Sequence, residues 1–182
     1  MVNIVNSVTT TSDHSSRNLQ PHELAQILTA LDENTPKGLL GLIFIRFLLV
    51  VPTRGGAELR NIKWSQFEHS TSERGESVWI YKGPSSLKNY KLRNVGDKKS
   101  ATFIGDHIIY NVDTADGKSN LYTLLCKYDQ VRPKDEPDFF LRAKEATPSD
   151  NSPWFYKIPI GQKELSKMAK TLAINSGMLV LV

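Results

Sequence analysis

The spacing of apolar residues changes several times along the chain, and each change marks an element. After Pro21, which suits a first helical turn, Leu24, Ile27, Leu28 and Leu31 recur every three or four positions. The polar stretch "DENTPKG" (32–38) breaks that helix. The next run, Lys37 to about Val51, is apolar nearly all round, which predicts a helix inside the domain rather than on its surface. Pro52 ends it, and Gly55-Gly56 permit a sharp reversal. Helix is expected again over "AELRNIKWSQF", with Leu59 and Ile62 inward and Trp64 a further inward candidate. Between about 75 and 112 the texture shifts: "ESVWIYKG" and "NYKLRNV" read as strands, "GPSS" as the turn between them, and "SATFIGDHIIYNV" as one or two more strands.

A loop, "DTADGKSN" (113–120), precedes a helix at "LYTLLCKYDQV" whose apolar face carries Leu121, Leu124, Leu125 and Tyr128. Residues 133–154 read as an irregular connection with a brief strand at Phe139-Phe140-Leu141. The last helix is expected over roughly Gln162 to Ser176, with Leu165, Met168, Ala169 and Leu172 on one side and Gly177 as its cap. Helices, a small antiparallel sheet, then helices give an α+β class, mainly helical. Residues 1–18, rich in Ser, Thr and Asn, read as a flexible leader to a domain over 19–182. "MLVLV" ends the chain on bare apolar residues that need a covering surface.

Composition narrows this little. The balance of 23 Lys+Arg against 19 Asp+Glu gives +4 and a pI near 9.1, which permits nucleic-acid binding without requiring it. Cys126 is the lone cysteine, so neither an intrachain disulfide nor a cysteine zinc cage can form, and a reducing cytosolic or nuclear compartment fits. The start of the chain lacks the basic region and apolar core of a signal peptide. The run 38–51 is shorter than the roughly 20 residues of a membrane span and is interrupted by Arg46, so no membrane partner is expected.

The candidate chemistry centres on "PTRGGAELRNIKWSQF" (52–67). Arg54 could clamp a phosphate with its planar fork of donors, helped by the amides of the following helix and steadied by Glu58. It could equally be a surface arginine capping the preceding helix and paired to Glu58. His22, His69 and His107 lack ligand spacing, so no metal is expected. Gly55-Gly56 is no Walker loop, and nothing else in the chain calls for a cofactor. Asp135, Glu136 and Asp138 read as a solvated acidic loop, and Trp154-Phe155-Tyr156 as cover for a core edge.

This stretch resembles the first arginine motif of tyrosine recombinases, roughly Gly-x-Arg-x-x-Glu-Leu-x-x-Leu-x-Trp. Arg54, Glu58, Leu59, Ile62 and Trp64 supply its parts. Three positions rather than two separate Arg54 from Glu58, so Gly55 takes the arginine place if the two are aligned on Glu58. Over about residues 37–178 the chain is also similar to the recombinase-like domain derived from Crypton mobile elements. That domain lies near the C-terminus of zinc-finger MYM-type proteins and of the glutamine-rich proteins related to them. The shared features are "RGGAELRNIK", the "FLR" island, and "PW" followed by "PIG" and "LSKM".

The resemblance implies a tyrosine-recombinase catalytic-domain-like fold whose C-terminal part is missing. It implies ancestral catalytic positions at Arg54 and Lys82, with Lys88 as runner-up for the hairpin lysine. It further implies DNA-backbone contacts from Arg54, Arg60, Lys63, Lys82, Lys88, Lys91 and Arg93, and a nuclear rather than cytoplasmic setting. Recombinases of this type add a His-x-x-Arg and a tyrosine nucleophile after the last helix. Here no tyrosine follows Tyr156 and no histidine follows His107, and the one His-x-x-Arg, "HSSR" (14–17), precedes Arg54. A catalytically incomplete, DNA-binding domain is therefore expected. The alternatives are the front piece of an active recombinase and a nuclear protein-interaction module without DNA contact.

Overall fold

The computed structural model of the chain describes residues 20–51, 53, 56–83 and 106–177. Among them five α-helices surround a three-stranded and a two-stranded antiparallel sheet, an α+β arrangement. Helix α1 spans Pro21–Ala30 and α2 Pro36–Val50. Thr35 caps α2 by accepting a hydrogen bond from the Gly38 amide. Ten residues of α2 are buried, which follows from an apolar run that leaves no polar face to turn outward. Arg46 is the exception. Its Nη2 donates to both oxygens of Asp116, at 2.7 and 2.6 Å, so the loop after the sheet supplies the counter-charge that lets an arginine sit in this helix. The C-terminal end of α2 leaves Leu49 and Val50 exposed. No helix among the described residues is long and apolar enough to cross a membrane.

Helix α3, Gly56–Asn61, is shorter than the periodicity predicts. The chain leaves it at Ile62, makes an antiparallel bridge from Lys63 to Asp138, and turns through a 3-10 segment, Trp64–Gln66, into strand β1, Phe67–Thr71. The inward residues survive this change of conformation: Leu59 and Ile62 are buried and Trp64 half-buried. Strand β2, Ser77–Tyr81, runs back beside β1 through the turn at Gly75, and β3, His107–Tyr110, lies on its other side. β1 is a strand that the pattern of "FEHST" does not announce. Only Phe67 in it is buried, so the sheet ladder rather than apolar alternation fixes it.

Helix α4, Leu121–Val131, begins at an Asn120 cap and buries Leu121, Leu124, Leu125 and Tyr128 as expected. Strands β4, Leu141–Ala143, and β5, Phe155–Pro159, form the small second sheet, and α5, Gln162–Asn175, closes the described chain with Gly177 at positive φ. Gly56 explains how α3 meets α5. A Cβ built there would overlap Ser166 Oγ and the Gln162 carbonyl, so only glycine allows this approach. The leader (1–18), the "NYKLRNV" strand, most of the "GPSS" turn, the first part of "SATFIGDHIIYNV" and the terminal "MLVLV" lie outside the described residues.

The core is aromatic where α2 meets the sheet. The Phe47 ring lies 5.2 Å from Tyr81, 5.7 Å from Phe139, 6.0 Å from Phe67 and 6.1 Å from Phe140. Phe67 and Phe139 stack at 4.3 Å, and Trp64 lies over both. These rings form an aromatic floor, with the Arg132 guanidinium 4.7 Å from the Trp64 ring.

Candidate functional site: a cation cluster between helix α3 and the 136–139 loop

Arg60 and Lys63 stand three residues apart where α3 gives way to the bridge with Asp138. That bridge is built from backbone: the Trp64 amide donates to the Pro137 carbonyl at 2.8 Å, and the Phe139 amide to the Ile62 carbonyl at 3.0 Å. It sets Asp138 directly opposite Lys63. One carboxylate oxygen, Asp138 Oδ1, then accepts from Arg60 Nη1 at 2.7 Å and from Lys63 Nζ at 2.6 Å. Side-chain exposure is 12% for Asp138, 32% for Arg60 and 45% for Lys63, so the anion sits beneath and the cations reach the surface. Burial by itself would raise the Asp138 carboxyl. The hydrogen bonds and charges of Lys63 and Arg60 outweigh it and hold the group below the usual carboxylate range.

A third cation lies behind this pair. Arg132, just past α4, is buried; its guanidinium rests over the Trp64 ring at 4.7 Å and near Tyr128 at 5.8 Å. Its Nη2 donates to the carbonyls of Glu136 and Asp138, while Nε and Nη1 have no partner among the described residues. Glu136 Oε1 in turn accepts from the Asp138 amide at 3.3 Å. The acidic loop expected to be solvated is therefore split. Asp135 is exposed and paired to Lys157, whereas Asp138 is a buried counter-ion. The difference arises because the bridge to Lys63 pulls residue 138 over the aromatic floor.

Lys82 follows β2 directly, as the strand reading required. Gln66 ties it to Lys63: Gln66 Oε1 accepts from the Lys63 amide at 2.8 Å, and Nε2 donates to the Lys82 carbonyl at 2.9 Å. The Gln66 carbonyl also accepts from the Lys82 amide at 2.7 Å. The backbones of the two lysines thus lie on either side of one residue. The Lys82 ammonium is exposed and pairs with Glu68, whose hydrogen bond and charge raise it above the ordinary lysine range.

Of the sequence-predicted set, the structure brings the Arg60 and Lys63 cations together on Asp138, while Lys82 joins them only through its backbone at Gln66 and turns its ammonium to Glu68. Arg54, Lys88, Lys91 and Arg93 lie outside the described residues, as does Gly55, the alternative arginine position. Asp138, Arg132 and Gln66 are the members that sequence reasoning missed. The lone hint for Asp138 was that it adjoins the apolar Phe139-Phe140-Leu141 island.

Three of the described tyrosines have raised phenols. Burial, and then the nearby Glu58 charge, push the Tyr81 phenol up to about 12. Burial likewise raises Tyr128, whose hydroxyl donates to the Phe139 carbonyl. Tyr122 is raised chiefly by desolvation and lies 3.1 Å from His69 Nε2. Trp154 and Phe155 pack at the core edge as expected, but Tyr156 is exposed, with Lys144 5.9 Å from its ring. Compared with protein-family models, curated proteins and solved structures, the chain matches none.

Proposed function

We propose that this chain is a tyrosine-recombinase-like domain of Crypton descent that binds the backbone of duplex DNA without cutting it. The observation that carries this reading is the pairing of Arg60 and Lys63, two cations of the arginine-motif stretch 54–64, on Asp138, with the Lys82 backbone joined to that of Lys63 through Gln66. Cations held at a surface over a rigid floor suit sequence-independent phosphate contacts. Strand cleavage lacks support in these 182 residues, which carry no tyrosine after Tyr156 and no histidine after His107. A nuclear place of action follows from the same family resemblance.

Fluorescence anisotropy with a duplex at about 50 and about 200 mM salt tests the proposal. Affinity falls steeply with salt, and the triple change Arg60→Ala, Lys63→Ala, Lys82→Ala lowers both the affinity and the slope of that dependence. Binding indifferent to salt, or a covalent adduct trapped by a suicide substrate, would overturn it.

A second reading, a protein-interaction module, draws on the exposed Ile108, Tyr110 and Val112 on and just beyond β3. It predicts that serine at Tyr110 and Val112 abolishes partner capture while the triple-alanine change leaves it intact.

A further inference from the structure

We infer that Asp138 and Arg132 are positioning residues, which hold Arg60 and Lys63 as a preformed two-cation clamp for one phosphate group. The inference rests on the DNA reading for the source of that phosphate, but not for the clamp itself. Three observations carry it. Asp138 uses a single oxygen to hold a guanidinium and an ammonium at once, so the two cations converge on one point instead of spreading into solvent. Each cation has further N–H donors beyond the one given to Asp138, and each remains partly exposed. Asp138 itself is fixed from two sides, by the backbone bridge to Lys63 and by Arg132 on its own carbonyl.

Long basic side chains on a surface normally lose rotamer freedom when they grip an anion. Here much of that freedom is lost on folding, because the carboxylate already orients both heads. Arg132 acts one step further back. Buried on Trp64 and bonded to the carbonyls of residues 136 and 138, it fixes the loop that carries Asp138 and cannot reach a ligand itself.

The arrangement makes an unusual demand. Removing a negative charge next to a phosphate site should, by simple electrostatics, tighten anion binding. If Asp138 positions the clamp, removing that charge weakens binding instead. The full chain carrying Asp138→Asn is titrated with duplex DNA beside the unmodified protein, with circular dichroism and cooperative unfolding as the check on folding. The expected result is about ten-fold weaker binding and a salt dependence reduced by about one phosphate's worth of slope. Asp138→Glu keeps the charge but moves the carboxylate by one methylene, and Arg132→Lys keeps the cation but loses the planar stack. Both weaken binding at unchanged net charge, so the test survives if Asp138→Asn fails to fold.

Inorganic phosphate titrated into isotope-labelled protein is the second arm. Shifts at the Arg60 guanidinium and the Lys63 amide are expected in the unmodified chain and absent in Asp138→Asn. DNA binding that is unchanged or tighter in the Asp138 variants overturns this inference and leaves the DNA reading standing. If the unmodified chain ignores DNA, the DNA reading falls and the phosphate arm decides alone. Shifts that vanish with Asp138→Asn then support a clamp for phosphate from another source, and no shifts at all overturn it.

Discussion

The two faces of the three-stranded sheet are built to different standards. Inward, Phe67, Trp79, Tyr81 and Ile109 are buried, and Phe67 and Tyr81 meet Phe47 in a continuous set of ring contacts. Outward, Ile108 and Tyr110 stand in solvent on β3, with Val112 just beyond, and Ile80 beside them is only half covered. The inner face is thus continuous with the aromatic core, whereas the outer one leaves Ile108 and Tyr110 exposed and covers Val78 fully. The Asp138 cluster belongs to the inner side, where the bridge to Lys63 adjoins Trp64 and Phe139 and Arg132 rests on the Trp64 ring, whereas Lys82 pairs with Glu68. Cations held with ångström accuracy need a foundation that does not shift, and close packing supplies one.

The sharpest way to break this contrast is to remove part of the floor. Phe139→Ala should cost about 3–5 kcal/mol in equilibrium urea unfolding, a large share of an ordinary domain's stability. A loss under about 1 kcal/mol would mean that the inner face is no better specified than the outer one.

Asp138→Asn should cost less, about 1–2 kcal/mol, because it opens no cavity, although a neutral amide oxygen cannot hold a guanidinium and an ammonium together as the carboxylate does. Acid titration sharpens the same point. The folded Asp138 carboxyl, like that of Asp116, titrates below its unfolded value of about 4. Its contribution to stability is complete above that value and disappears as the pH falls through the lowered folded one. The unmodified chain should therefore lose stability on acidification more steeply than Asp138→Asn, as followed by unfolding midpoints across that range. Parallel acid limbs would remove Asp138 from the account.

The smallest effect belongs to the outer face. Ile108→Ser with Tyr110→Ser should change unfolding free energy by no more than about 0.5 kcal/mol for each residue. The same double change should reduce any concentration-dependent association seen by sedimentation velocity, since it shrinks an exposed apolar patch. A large loss of stability would show that the outer face is packed after all.

Much of the fold is legible in the sequence because helices declare themselves locally. The all-apolar run of α2, the Leu121–Tyr128 stripe of α4 and the Leu165–Leu172 side of α5 each follow from spacing alone. What spacing misses depends on distant partners. "FEHST" has one buried residue and becomes a strand because β2 offers it a ladder, and Trp64–Gln66 leaves the helix because Lys63 bonds a segment 75 positions away. The site divides the same way. Arg60, Lys63 and Lys82 were readable as cations beside a motif. The carboxylate that joins two of them looked like part of a solvated loop, since nothing local to "PKDEPD" signals that its last aspartate is buried.

Gln66 carries a consequence of its own. Its side chain must accept at one tip, from the Lys63 amide, and donate at the other, to the Lys82 carbonyl, which a neutral amide can do and a carboxylate of equal length cannot. Glutamate there would set oxygen against oxygen at the Lys82 end and loosen the spacing between the two lysine backbones. An uncharged residue thereby acts as the ruler that sets how far apart two positive charges begin.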